Sequence, residues 1–515
     1  MKLVIHHSRS RSAKTLGFAF ALWSIAWSSA HADEKRALMI GGGPNPRSNQ
    51  VAIESNLRYM LRLLPTDVRR TVLFADGDPK AETVLFEDQA KDLKPGERII
   101  ALLLEGRGAA HPSTLKFRAP SLTQLDGPSR RTEIESAFAK LAAQNPTGSP
   151  LLLYFTGHGS PNRNRNLDNN VYDLWQENGF SVKDLAGQIA KLPAEQALTL
   201  VMVQCYSGAF GNILFQDGDP KAEMIERDIA GFFATVKERV AAGCTPALDE
   251  SEYHDFTSYF FAALTGTDRV GRRVRGADYN HDGQVTMDEA FCYALIHDAS
   301  IDIPICTTDV YLRKVITTPD EELFKNPYSQ VRGWASPAQR TALEELSKKL
   351  KLSGDDRGAN AYSKFINAAS GPQQGGNPGA AARRAFNIAR EEDRRFLFQR
   401  WPELNDKNGP GYEKAHAEAV EMAERQLKEG KYKALLDAET AMDAAEDGDY
   451  KQELADALQT RFVRLYKSVV LSHIVHTGND AAARQKLDRL IAAECRPLFG
   501  NTKVAARIPG HIETP

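Results

Sequence analysis

The chain of 515 residues has almost no excess charge, because 65 lysines and arginines face 67 aspartates and glutamates for a formal net of −2. That balance argues against a general role on nucleic acid or on anionic membrane surfaces, both of which reward a basic excess. Long apolar runs are missing after the first thirty or so residues, so no later segment is expected to span a bilayer. Cysteine is scarce: Cys205, Cys244, Cys292, Cys306 and Cys495 are the whole supply. With one of them held back as a reactive thiol, the other four allow three pairings, and one or two bridges is the ceiling. A bridge among Cys244, Cys292 and Cys306 competes with the reading of these residues as small buried hydrophobes. The composition is otherwise that of a globular protein, and the length points to two or three domains.

The N-terminus reads as a processing segment. Lys2, Arg9, Arg11 and Lys14 precede an apolar stretch at 16–27, and Ala30-His31-Ala32 follows as a small-residue cleavage pattern. Residues 1–32 are thus expected to be a signal peptide, with the mature chain starting at Asp33 and residing in the periplasm of a Gram-negative cell or outside it. An uncleaved anchor competes, but the apolar run is short for a bilayer.

What is present is concentrated between 151 and 210. Leu151-Leu152-Leu153-Tyr154-Phe155 is an apolar run suited to a buried parallel strand, and it breaks at Thr156-Gly157-His158-Gly159-Ser160. A second run, 197–204, breaks at Cys205-Tyr206-Ser207-Gly208. Between them 181–192 reads as a helix, with Ser181 and Asp184 forming a capping-box-like start and Leu185, Ile189 and Leu192 on one face. Strand, helix, strand puts both carboxyl ends on one sheet edge, where open α/β folds bind ligands. A thiol needs a nearby base to act as a nucleophile at neutral pH, and an imidazole is the usual one.

Tyr-Phe-Thr-Gly-His-Gly followed by Gln-Cys-Tyr-Ser-Gly resembles the His-Gly and Cys-x-Ser-Gly motifs of legumain-like cysteine peptidases within the wider caspase-like (clan CD) group. The resemblance covers about residues 33–318. It implies that Cys205 attacks the scissile carbonyl, that His158 handles the proton, and that the N–H groups of Gly159 and Cys205 form the oxyanion hole. The chain departs from legumains just before the nucleophile, where Val203-Gln204 stands in place of Glu-Ala. In that group the first strand-to-helix loop holds an Asn that orients the His and, two residues on, an Arg that lines the pocket for the residue before the cut. Asn45-Pro46-Arg47 has that spacing, so Asn45 and Arg47 are candidates for those roles, and Arg47 hints at Asp or Asn before the cut. The competing reading makes Asn45 a turn residue and Arg47 a solvated charge.

Further strands are expected at 37–40, 71–75, 98–104, 229–236 and 309–316, with helices at 53–64, 132–141 (opened by a Thr132-x-x-Glu135 box), 255–264 and 287–297. Their alternation favours an α/β sandwich with a mostly parallel sheet, of the caspase-like α/β/α kind the resemblance implies. Leu73 to Glu82 recurs almost unchanged as Leu214 to Glu223. Both copies carry Asp-Gly-Asp-Pro and read as similar acidic turns; self-processing at Asp217 or Asp219 is the sharper alternative.

Residues 278–289 match a twelve-residue EF-hand loop. Asp278, Asn280, Asp282, Thr286 and Glu289 offer side-chain oxygens, Gln284 offers its carbonyl, and Gly283 sits at the sharp turn, which together suit one Ca2+. An acidic helix-capping turn without metal is the plainer reading. No organic cofactor is expected.

Past 318 the character changes. Ser336-Pro337 opens a helix, 370–379 is a Gly/Pro/Gln linker, and charged, Ala-rich helices follow, with Leu454, Leu458, Phe462, Leu465 and Val469 on one face. An all-helical accessory region at 319–515, open to a protein partner, is therefore expected. Two functions remain: a cysteine endopeptidase acting on protein or peptide substrates, and a catalytically silent, calcium-stabilised caspase-like scaffold.

Overall fold

The computed structural model describes residues 34–88, 93–106, 114–144, 148–370, 378–407 and 409–498. The expected signal peptide, its cleavage site and most of the 370–379 linker lie outside these residues. The described strands are β1 (Arg36–Gly42), β2 (Arg69–Phe74), β3 (Val84–Asp88), β4 (Thr114–Arg118), β5 (Leu151–Gly157), β6 (Gly159–Ser160), β7 (Val171–Tyr172), β8 (Phe180–Ser181), β9 (Leu198–Met202), β10 (Ile229–Phe233) and β11 (Ile305–Cys306).

Six of them form the central sheet in the order β11-β10-β9-β5-β1-β2. Every neighbouring pair is parallel except β10 with β11. The apolar runs explain this layout: β1, β5, β9 and β10 are buried at every position, as strands covered on both faces must be. Their cover includes helix Val51–Leu63, with Ile53, Leu57 and Leu61 turned inward, and helix Phe256–Thr265, capped by Asp255 at its start and by Gly266 in the left-handed region (φ 69°) at its end. The fold is mixed α/β with a mostly parallel sheet and a helical C-terminal region.

Two expected strands are helices. Residues 98–104 belong to helix Pro95–Leu104, and 309–315 to helix Thr307–Val315, with Ile316 as its C-cap. Segments this short suit a strand or a helix equally, and tertiary packing decides. In the first, Ile99, Ile100, Leu102 and Leu103 join a second hydrophobic cluster with Leu397, Ala419 and Leu435. In the second, Asp309 and Arg313 pair one turn apart at 2.8 Å. The Thr132-x-x-Glu135 box is not used either. That helix is Arg131–Ala142, and its first N–H is held by Glu177 Oε2 at 3.0 Å.

The core does not break at residue 318. Helix Lys433–Thr477 puts Phe462, Tyr466, Val469 and Leu471 into the same hydrophobic cluster as the sheet. The duplicated acidic segment builds one turn twice. Gly77 N–H donates to Phe74 O at 2.9 Å, and Gly218 N–H to Phe215 O at 3.0 Å. Both glycines adopt left-handed φ values, 79° and 67°. Among the described residues no helix is long and apolar enough to cross a membrane.

Candidate functional site

The site follows from strand register. Phe155 of β5 lies opposite Met202 of β9, and Val203 N–H continues the ladder to Phe155 O at 3.1 Å. His158 and Cys205 each come three residues after that pair, so they leave the same edge of adjacent strands at the same level. Both are half-buried. The backbones then touch: a Cβ built on Gly159 would fall 2.2 Å from Cys205 O and 2.7 Å from Gln204 Cγ, so only glycine fits.

After the sulfur the chain turns hard. Tyr206 is left-handed (φ 60°, ψ 17°), which is unusual for so large a side chain and marks local strain. It is held by Tyr206 N–H donating to Arg239 O at 2.8 Å and by Ser207 Oγ against Thr235. Gly208 packs so close to Thr235 O that an added Cβ would lie 2.7 Å away. The segment after β10 thus forms the wall beside Cys205, and Ala241 N–H points at Cys205 Sγ from 3.3 Å.

His158 Nε2 lies 2.9 Å from Gln50 Oε1, in the loop leading into helix Val51–Leu63. Asn45 does not orient the imidazole. It is exposed, and its side chain accepts from Ser48 N–H at 3.2 Å to cap a short 3-10 turn, Pro46–Ser48. Arg47, within that turn, is exposed. The residue of this loop that faces the imidazole is Gln50. Nothing in the sequence marked Gln50, Ala241 or Asp173 as neighbours of the site, because each arrives through loop geometry.

Electrostatics at the dyad are set by burial. Burial pushes the Cys205 thiol above its ordinary value, with Ala241 N–H opposing and the Asp302 and Asp173 charges adding to the rise. Burial lowers His158, while the Asp173 carboxylate and the Ser48 carbonyl favour its protonated form. Both shifts therefore favour the uncharged forms, the thiol at Cys205 and the neutral imidazole at His158. Cys244 is half-buried, its thiol 3.7 Å from Gly157 O and pushed far up by burial. All five cysteines are free, so none of the bridges considered from spacing is formed.

The 278–289 loop has the local features of a cation loop. Asp278 accepts from Asp282 N–H at 3.2 Å and Gly283 N–H at 3.0 Å, and Asn280 Oδ1 accepts from Asp282 N–H at 2.9 Å. Gln284 N–H donates to Asp282 at 2.9 Å, and Gly283 is left-handed with φ 87°. Thr286 caps helix Met287–His297 in a box with Glu289, which is buried at the third helical position. Glu289 Oε1 also accepts from Tyr279 N–H at 2.9 Å. The preceding helix ends at Thr265, with 266–277 intervening, so the loop is not flanked by a helix pair. Among the described residues no three His, Cys, Asp or Glu side chains converge closely enough to hold an ion.

A cavity of about 390 Å3 lies elsewhere, lined by Cys292, Cys306, Arg464, His473 and Glu494 among others, and by none of the residues of the dyad. Compared with protein-family models and with curated proteins, the chain returned no match.

Proposed function

We propose that this chain is a caspase-like cysteine endopeptidase in which Cys205 is the nucleophile and His158 the general base. The observation that carries the reading is the register: two parallel strands deliver a thiol and an imidazole to one edge, and a backbone contact that only glycine permits ties the two loops together. A structural histidine and an inert thiol would not need that arrangement. In the reaction, Sγ bonds to the scissile carbonyl carbon as its proton passes to His158. The C–N bond breaks when His158 returns that proton to the leaving amine. Water, deprotonated by His158, then splits the thioester and restores the thiol. Proton transfer to His158 during attack, rather than a standing ion pair, suits a thiol that burial keeps protonated.

The 278–289 loop is proposed to take one Ca2+ through the oxygens of Asp278, Asn280, Asp282, Thr286 and Glu289 and the Gln284 carbonyl, as a clamp on the start of helix Met287–His297. The left-handed Gly283 and the capping role of Thr286 fit that use. A hard cation with this donor set holds the fold and supplies no chemistry to the dyad. The leader at 1–32 supports a periplasmic or secreted location.

A silent scaffold is the second reading, and one observation favours it: the His158 ring is hydrogen-bonded to Gln50 while the Cys205 thiol is raised rather than lowered. Labelling with a thiol-reactive peptide probe separates the two. Modification of Cys205 that disappears in His158→Ala supports the peptidase; folded protein whose Cys205 resists the probe supports the scaffold.

A further inference from the structure

We infer that Asp173 is the specificity-determining residue of this site, and that it selects peptides carrying a Lys or Arg side chain next to the scissile bond. The inference rests on the peptidase reading above and adds the class of substrate.

Asp173 is brought to the dyad by the small antiparallel sheet that leaves the end of β5. Gly159 pairs with Tyr172 across β6 and β7, and Asp173 N–H donates to His158 O at 3.0 Å. Its carboxylate is half-buried, and Ser160 Oγ donates to it at 2.8 Å. Its charge reaches both partners of the dyad, favouring protonated His158 and protonated Cys205. Among the described residues no lysine or arginine pairs with it. The contrast within the same excursion is Asp168, which Lys237 neutralises at 2.6 Å. Arg47, the cation expected in this pocket, sits exposed in a turn and makes no ion pair with Asp173.

A carboxylate that pairs with no lysine or arginine, and whose charge reaches a nucleophile that works best as an anion, is a liability unless something cationic covers it. A substrate guanidinium or ammonium does so. Binding then supplies the missing counter-charge, and it relieves the field that holds the Cys205 proton in place. Recognition of an acidic or amide side chain would leave Asp173 uncompensated or place two carboxylates together, which a desolvated site disfavours.

The experiment uses the full mature chain with internally quenched peptides that carry Arg, Lys, citrulline, Asn or Asp on either side of one cleavable bond. The expected result is a kcat/KM preference of about tenfold or more for Arg over the uncharged isostere citrulline, in line with one charge-assisted contact. Asp173→Asn, which keeps the Ser160 hydrogen bond, should bring that ratio close to one, and Asp173→Glu should restore part of it. Preference for Asn or Asp in the unaltered protein overturns the inference. So does an Asp173→Asn variant that slows every peptide alike and keeps the ratio, because the residue would then only position His158. Iodoacetamide labelling of Cys205 in the same samples tells the failures apart. A reactive thiol without cationic preference sinks Asp173 alone; an unreactive one with no cleavage sinks the peptidase reading and this inference with it.

Discussion

Arg461 Nε donates to the backbone carbonyl of Asp302 at 2.8 Å, from a helix 159 positions further along the chain. The same guanidinium donates to the carbonyls of Asp298 at 2.6 Å and Ser300 at 2.7 Å, and it is almost wholly buried. The Asp302 side chain in turn accepts from Ala242 N–H at 2.7 Å and Phe256 N–H at 3.0 Å. Ala242 follows Ala241, whose N–H faces Cys205 Sγ. The long C-terminal helix is therefore a strut behind the wall of the candidate site.

Removing that strut should be costly. Arg461→Ala would leave three buried carbonyls and the Asp298 carboxylate without their cation, and the expected loss is about 3–5 kcal/mol of unfolding free energy in urea denaturation. A loss under about 1 kcal/mol, the scale of a surface pair, would show that the helix merely leans on the sheet.

Gly159→Ala tests the contact between the two loops. The new methyl would sit 2.2 Å from Cys205 O, so the backbone must shift, and displacement near 1 Å at a reacting centre costs about 100-fold in rate. Peptide hydrolysis should fall by that order while the circular dichroism spectrum is retained. Near-normal turnover would show that the loops do not need this approach.

The pH dependence follows from burial at both partners. His158 is lowered, so its neutral, basic form persists as pH drops past the ordinary value of 6.5, and the acid limb of kcat/KM should lie below that value. Cys205 is raised, so its alkylation by iodoacetamide should keep accelerating above the ordinary thiol value of 9.0. Rates that level off near neutral pH would mean that a thiolate–imidazolium pair exists at rest.

Glu494 offers a linkage test away from the site. It is buried against Thr307 and Thr308, and burial pushes it up to about 7 from an ordinary 4.5. Between those values the unfolded chain has lost the proton and the folded chain keeps it, so stability falls as pH rises through this window. Glu494→Gln should abolish that fall, matching the unaltered protein near pH 4 and exceeding it at pH 8. Equal slopes in the two proteins would mean that Glu494 is already ionised when folded.

Calcium should raise the thermal midpoint of the unaltered protein, with about 2.7 kcal/mol expected at a hundredfold excess over Kd. Glu289→Gln keeps the helix cap with Thr286 but gives up the bidentate carboxylate, so its midpoint should no longer respond to calcium. A variant that still responds would place the ion outside the 278–289 loop.

Much of the frame was legible because it depends on local pattern. The runs at 151–155 and 197–204 had to be buried strands, Ser181 and Asp184 do form a capping box, and helices 287–297 and 255–264 lie within a residue or so of their expected ends. The segments expected as strands at 98–104 and 309–316 are too short for periodicity to separate strand from helix. What covered them decided the matter. At the site, Asn45 and Gln50 share one loop, and spacing favoured the first; the path of the 3-10 turn at Pro46–Ser48 brought the second to the imidazole.

The amino-acid sequence by itself determined that a histidine and a cysteine end two apolar strands, because hydrophobic patterning and glycine punctuation are written residue by residue. Only the tertiary structure decided what surrounds them: Gln50 on the ring, Ala241 at the sulfur, Asp173 held to the His158 backbone, and Arg461 bracing the wall. Those neighbours come from distant segments, and their meeting depends on how the loops and the long helix pack rather than on any short-range signal.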